Sequence, residues 1–296
     1  MIVLPSVIKP EHLVNANVAA IPLWDANISY ALDARVVQAD IEYRSLVAGN
    51  KGHSPDTSPV HWYGIGTTNR LAAFDSSPSS QCIGPAGAPL VLQLDTGMRC
   101  TSLGVLNASA ASLHVHSVDQ GSGEVLNDET YTLAASRGTY WSWCFESLQR
   151  IRNLYVPGLV PSTRALVTLT FEPLFGTAAV GVVVLGREEF IGHAQWGFSG
   201  GRALRSEGYI DKYKNPVRTE RGSTRKLRGN VVVPTADFNR TMDLCDDLVG
   251  VPAMWVLDEK SGDYRSLDLY GDFEDITANA DNGVDTMFQL ELNGYQ

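Results

Sequence analysis

The chain has 296 residues, a formal net charge of −10 and 44% hydrophobic residues. Glycine (27) and proline (14) are close to average use, which excludes a disordered or collagen-like chain. The acidic balance argues against nucleic acid as a partner, because phosphate contacts need a surplus of Lys and Arg.

Residues 1–22 read as an N-terminal arm. The opening MIVLPSVIKP has no basic n-region and carries Pro5 and Pro10, so no secretory signal is expected. The longest apolar run is about ten residues near 176–185, half of what a membrane span needs. No membrane insertion is expected. Cys82, Cys100, Cys144 and Cys245 form no CxxC pair and read as reduced thiols of a protein assembled in a cytoplasm.

Residues 23–66 form a small β unit crowded with rings: Trp24, Tyr30, Tyr43, His61, Trp62 and Tyr63. Exposed rings stack on the apolar faces of sugars, which makes Trp24, Tyr30, Tyr43 and Trp62 candidate glycan contacts. The same rings can instead staple a unit too small for a large core.

Residues 67–190 carry short, Val-, Leu- and Thr-rich strands at VLQLD (91–95), SLHVHSV (112–118), ALVTLTFEPL (165–174) and AAVGVVVLG (178–186). Their spacing and the turn at Asp119–Gly123 predict a β-sandwich, jelly-roll-like. The last two segments read as a hairpin. The unbroken apolar run of the second implies burial on both faces.

Residues 191–296 form the last unit. Gly192, Gly197, Gly200 and Gly201 read as a flexible link into it. A helix is expected over about 236–249, capped by Thr235, with Phe238, Met242, Cys245 and Val249 at helical spacing and Gly250 and Pro252 at its end. AMWVLD (253–258) reads as a strand. Charge is uneven: residues 202–228 hold nine basic and three acidic side chains, whereas residues 237–296 hold three basic and fourteen acidic. These blocks read either as complementary surfaces that meet between subunits or as two solvated faces. Arg218, Arg221, Arg225, Lys226 and Arg228 are the candidate subunit contacts.

Patterns that carry catalysis or metal binding are weak. GFSGG (197–201) matches a nucleophile elbow, but no His follows His193, so the α/β-hydrolase order is impossible. His114 and His116 share a strand face without a second ligand pair. Glu188 and Glu189 are adjacent and point to opposite sides of a strand. No catalytic residue, metal or cofactor is expected.

Two stretches resemble known families. Trp24, Tyr30, Asp33–Val37, Tyr43–Leu46, Ala48–Pro55 and Trp62 resemble the small chitin-binding-type carbohydrate modules, with Leu32-Asp33 where those have Gly-Asp. HWYGIGTTNRLAAFDSSPSSQ (61–81) is similar to a stretch of tailed-bacteriophage virion proteins, in which a carbohydrate-module-like segment, a β-sandwich and a domain with one helix follow in order. Thr67, Thr68, Asn69, Arg70, Phe74 and Asp75 carry that motif. They are expected to close a loop by side-chain bonds to backbone, with Arg70 reaching Asp75.

The resemblance implies a mainly β chain whose C-terminal unit is a split β-barrel like those of tail tubes and distal tail rings. It implies a non-enzymatic component of the tail tip or baseplate, located in the virion tail after assembly in the host cytoplasm. Expected partners are tail hub, distal tail ring and fibre proteins, further copies of the chain as a trimer or hexamer, and host-surface glycan. The alternatives are a receptor adhesin and, more weakly, an envelope-degrading enzyme.

Overall fold

The computed structural model describes residues 1–134, 140–145, 150–204, 207–210, 214, 216–219, 223–257, 267–279 and 283–295. The chain is mainly β, and every strand ladder is antiparallel.

The sandwich is two sheets. One has the order β10 (Val125–Thr132), β9 (Ser112–Asp119), β12 (Ala165–Glu172), β7 (Leu90–Asp95), β2 (Leu13–Ala16). The other has β11 (Leu154–Val156), β8 (Ser102–Leu106), β14 (Val182–Gly186). In β7, β9 and β12 every second residue is buried, as the period of a strand with one wet face requires. Leu92, Leu94, Leu113, Val115, Leu169 and Phe171 meet Leu103, Val105, Val183 and Leu185 in the core.

β8 and β14 are buried along their whole length. Their second face, through Leu106, Val182 and Val184, packs on Leu4, Met254, Val256 and Tyr270 of a third sheet. The three-stranded sheet is thus the middle layer, which is why VVVLG alternates with nothing. The expected hairpin of 165–174 with 178–186 is not formed. β12 pairs β7 and β9, while β14 pairs β8 in the other sheet. The alternating strand needs one wet face and the all-apolar strand needs none, so the chain crosses between layers. A short pair, β6 (Cys82–Ile83) with β13 (Ala179–Val180), lies along that crossing.

The third sheet has the order β15 (Glu189–Phe190), β1 (Ile2–Pro5), β21 (Ala253–Val256), β22 (Leu269–Asn279), β23 (Asp285–Gly294), β20 (Ser223–Pro234), β16 (His193–Ala194), with β17 (Ser199–Leu204) also on β20. Its edge strands β15 and β16 are separated only by Ile191 and Gly192. The sheet therefore curls until its two edges meet at that dipeptide, without its ladders closing into a barrel. Residues 1–22, expected as an arm, supply one strand to this sheet and one, β2, to the sandwich. The expected glycine link of 192–201 is partly strand, since Gly200 and Gly201 lie in β17 opposite Leu227 and Lys226.

Helix α2 (Phe238–Asp247) covers the outer face of this sheet, and Phe238, Met242, Leu244 and Leu248 pack over Val231, Trp255, Phe288 and Leu290. It is shorter than expected. Thr235–Asp237 form a 3-10 turn before it, and Asp237 sits at the cap position without a side-chain cap bond. Val249 lies past the end and is exposed. A second helix, α1 (Tyr140–Phe145), has six residues. Among the described residues no helix is long and apolar enough to cross a membrane.

Two parts stand apart. β3 (Arg35–Gln38), β4 (Ile41–Ser45) and β5 (Trp62–Thr67) form a separate three-stranded sheet. β18 (Glu207–Ile210) and β19 (Pro216–Thr219) pair only with each other among the described residues. They continue the β17–β20 ladder as a two-stranded ribbon.

Candidate functional site

The four rings proposed as glycan contacts meet in the small module. Trp62 is 2% exposed and Tyr30 7%, and their rings stand edge to face with centroids 5.3 Å apart over Val36. The Trp62 indole N–H donates to the His53 carbonyl at 2.8 Å, and the Tyr30 hydroxyl accepts from the Asp25 N–H at 2.7 Å. Both rings are spent on the module's own core and offer no face to a sugar. Trp24 and Tyr43 are half-buried against that core. Tyr63 is the exposed ring of the group, with the Arg44 guanidinium 5.7 Å from its centroid.

The 67–75 motif joins three parts of the chain. Thr68 donates its N–H to Asp40 in the β3–β4 turn. The Asn69 side chain donates to the Ile83 carbonyl at 2.9 Å and accepts from the Ile83 N–H at 2.7 Å, as a strand residue would. Arg70 does not reach Asp75. Its guanidinium donates to the carbonyls of Leu13 and Val14 at 3.2 and 3.4 Å, along β2. Asp75 instead accepts from the Ser77 N–H at 2.9 Å and the Ser80 hydroxyl at 2.5 Å, closing its own turn. Phe74 packs against the sandwich core. Between this motif, the arm and the module opens a cleft of about 850 Å³, lined by Val14, Leu23, Val37, Asp40 and Arg70 among others.

The basic segment is partly neutralised within the chain. Lys226 meets Glu274 at 2.8 Å and Arg228 meets Glu291 at 2.8 Å, both across the β20–β23–β22 ladders. The complementary blocks read from the sequence thus meet, at these two residues, inside one subunit. Arg225 stands opposite Arg202 in the β17–β20 register. Burial, then the charge of Arg202, lowers its pKa. Arg218 lies in β19, where only the backbone is described, and Arg221 lies outside the described residues. β18 and β19 pair antiparallel from Glu207 with Thr219 to Ile210 with Pro216.

Glu188 and Glu189 part company as their adjacency requires. Glu188 accepts from the hydroxyls of Ser102 and Tyr155, while Glu189 pairs with Arg240 at 2.8 Å and Arg187 at 3.4 Å. His114 bonds Asp128 at 2.6 Å. Among the described residues no group of His, Cys, Asp or Glu is arranged to hold a metal ion. Burial pushes the Cys82 thiol up to about 12 and the Cys245 thiol up to about 11, which keeps both protonated and unreactive near neutral pH.

Sequence reasoning missed the two clefts that Arg225 lines, because their walls come from segments far apart in the chain: one from Pro78 to Tyr295, the other from Gly200 to Leu269. No family model matches the chain, and no curated protein matches it.

Proposed function

We propose that the chain is a non-enzymatic structural component of the distal tail of a long-tailed bacteriophage, assembling symmetrically with hub, ring or fibre proteins and meeting host-surface glycan. The observation that carries this reading is the ribbon of β18 and β19 beyond the third sheet. A lone two-stranded hairpin is marginally stable in water. This one also exposes Tyr209 and Ile210, 61% and 73% exposed, and Leu204, the last residue of β17, is 65% exposed. Such an extension gains stability when a neighbouring subunit covers it. The resemblance of residues 61–81 to virion proteins supports the location, and the in-chain bonds of Asn69 and Arg70 suit a joint between rigid parts. Gold-labelled antibody against this chain should decorate the tail tip of assembled particles. Label confined to the capsid, or absent from the particle, overturns the reading.

A further inference from the structure

Helix α1 is rooted in the sandwich. Ala134 and Arg150 pair with each other, and the Ile151 N–H donates to the Leu133 carbonyl at 2.8 Å. Leu133 is fully buried in the sandwich core. The segment that leaves and returns at this root carries Tyr140, Trp141, Cys144 and Phe145, all four exposed. Positions i, i+1, i+4 and i+5 of a helix share one face. The Tyr140, Trp141 and Phe145 rings on that face are 80%, 67% and 67% exposed, and none joins a core cluster.

Such a face is unfavourable in water. A helix of six residues gains little from its own backbone bonds, and its rings stay wet. The Trp141 and Phe145 rings lie against each other with centroids 4.2 Å apart, so they are poor open platforms for a sugar. The segment YWSWCF also has no charged and no amide side chain to bind sugar hydroxyls. Trp and Tyr rings instead suit the headgroup level of a bilayer, where the apolar body is buried and the polar edge is wet.

Charge gives the occupant its sign. Residues 137–152 hold three arginines (137, 150 and 152) and one acidic residue, Glu146, in a chain whose net charge is −10. Arg150 and Arg152 are exposed and make no ion pair among the described residues. The Arg150 guanidinium donates to the neutral Ser109 hydroxyl at 3.2 Å. An uncharged aromatic tip with guanidinium groups at its root follows the layering of a bilayer surface, acyl chains first and anionic phosphates behind them. The acidic remainder of the molecule is screened beyond about 8 Å at physiological salt.

We propose that α1 is a lipid-docking tip: Tyr140, Trp141 and Phe145 enter the interface of an anionic bilayer, and Arg150 and Arg152 meet its phosphates. No spanning segment is needed, since a short helix lies in one leaflet. The expectation of no membrane insertion rests on the length of apolar runs and so concerns spans. The proposal goes beyond the tail reading and does not depend on it.

Flotation of the full chain with phosphatidylcholine vesicles, with and without phosphatidylglycerol, tests it. Vesicles with phosphatidylglycerol should bind the chain, more weakly as salt rises, and pure phosphatidylcholine should bind it about ten-fold more weakly. Trp141→Ser and Phe145→Ser, both at exposed positions, should each weaken binding about ten-fold while leaving the melting temperature in place. Arg150→Gln combined with Arg152→Gln should reduce binding of the anionic vesicles to that of phosphatidylcholine. The parent chain also reports directly: Cys144 is exposed and Cys82, Cys100 and Cys245 are buried, so a polarity-sensitive fluorophore coupled to Cys144 should brighten and shift to the blue on anionic vesicles. The proposal is overturned if neither vesicle floats the chain, if both bind it equally, if the label does not respond while the chain floats, or if the Trp141→Ser, Phe145→Ser double variant floats as before. A dimer of the parent chain that this double variant abolishes, seen by sedimentation velocity, would assign the face to a second copy and overturn it as well.

Discussion

Asp119 shows how much one side chain organises. It ends β9, and its carboxylate accepts from the N–H groups of Gly121 and Ser122 at 2.8 and 3.0 Å and from the Ser162 hydroxyl at 2.8 Å. Arg164 lies 3.3 Å away. These bonds, the Ser122 N–H first, hold its pKa down at about 2, below the ordinary 3.8. The folded chain therefore holds this carboxylate in its charged form more strongly than the unfolded chain does. Its stabilisation is complete above the ordinary value and is lost as pH falls from about 4 towards 2. Asp119→Asn should lower the melting temperature at neutral pH and flatten the acid limb of a melting-temperature profile over that window. An unchanged acid limb would refute the assignment. The turn at 119–123 was legible because its residues are neighbours. The partners of Asn69 and Arg70 were not, since Ile83 and Leu13 lie 14 and 57 positions away and no local pattern announces them. The rings around Trp62 were legible as a cluster, but the sequence does not say which faces point inward.

Elements were legible where one period governs them. β7, β9 and β12 alternate and were found with their ends nearly right, and so was the body of α2. The misreadings fall where burial is two-sided or where glycine serves close approach. Gly192 read as part of a link, yet it is the point at which the two edges of the third sheet meet. A Cβ there would lie 2.6 Å from the Val232 carbonyl oxygen and 2.8 Å from side-chain carbons of both Val231 and Val233. The backbone oxygen cannot yield without parting β16 from β20. Gly192→Ala should cost about 1–3 kcal/mol, the range for overpacking a filled site. Gly201, in the same glycine-rich stretch, has nothing within 4 Å of its Cβ position. Gly201→Ala should fall within about 0.5 kcal/mol of the parent. Urea unfolding of the two variants checks the contrast, and equal midpoints would return the whole stretch to the status of a link.

At the scale of the molecule, layers rather than segments set the cooperative units. Leu4 and Val184 are fully buried, Met254 likewise, and all three belong to one core between the middle sheet and the third sheet. β1 reaches that core from the chain's start, and β2, eight residues further on, is the edge of the sandwich. Loosening the third sheet therefore bares the outer face of β8 and β14, and loosening the sandwich strips the cover from Leu4 and Met254. The two should melt together, although the sequence divides them near residue 190. The small module has a core of its own in Tyr30, Val36 and Trp62, so few contacts oblige it to follow. Scanning calorimetry should show one large transition for the sandwich and third sheet and a separate small one for residues 23–66. Leu4→Ala should lower the large transition, at a cost of about 2–5 kcal/mol, and leave the small one where it is. Separate melting of sandwich and third sheet, with only the latter moved by Leu4→Ala, would show that the shared core does not couple them.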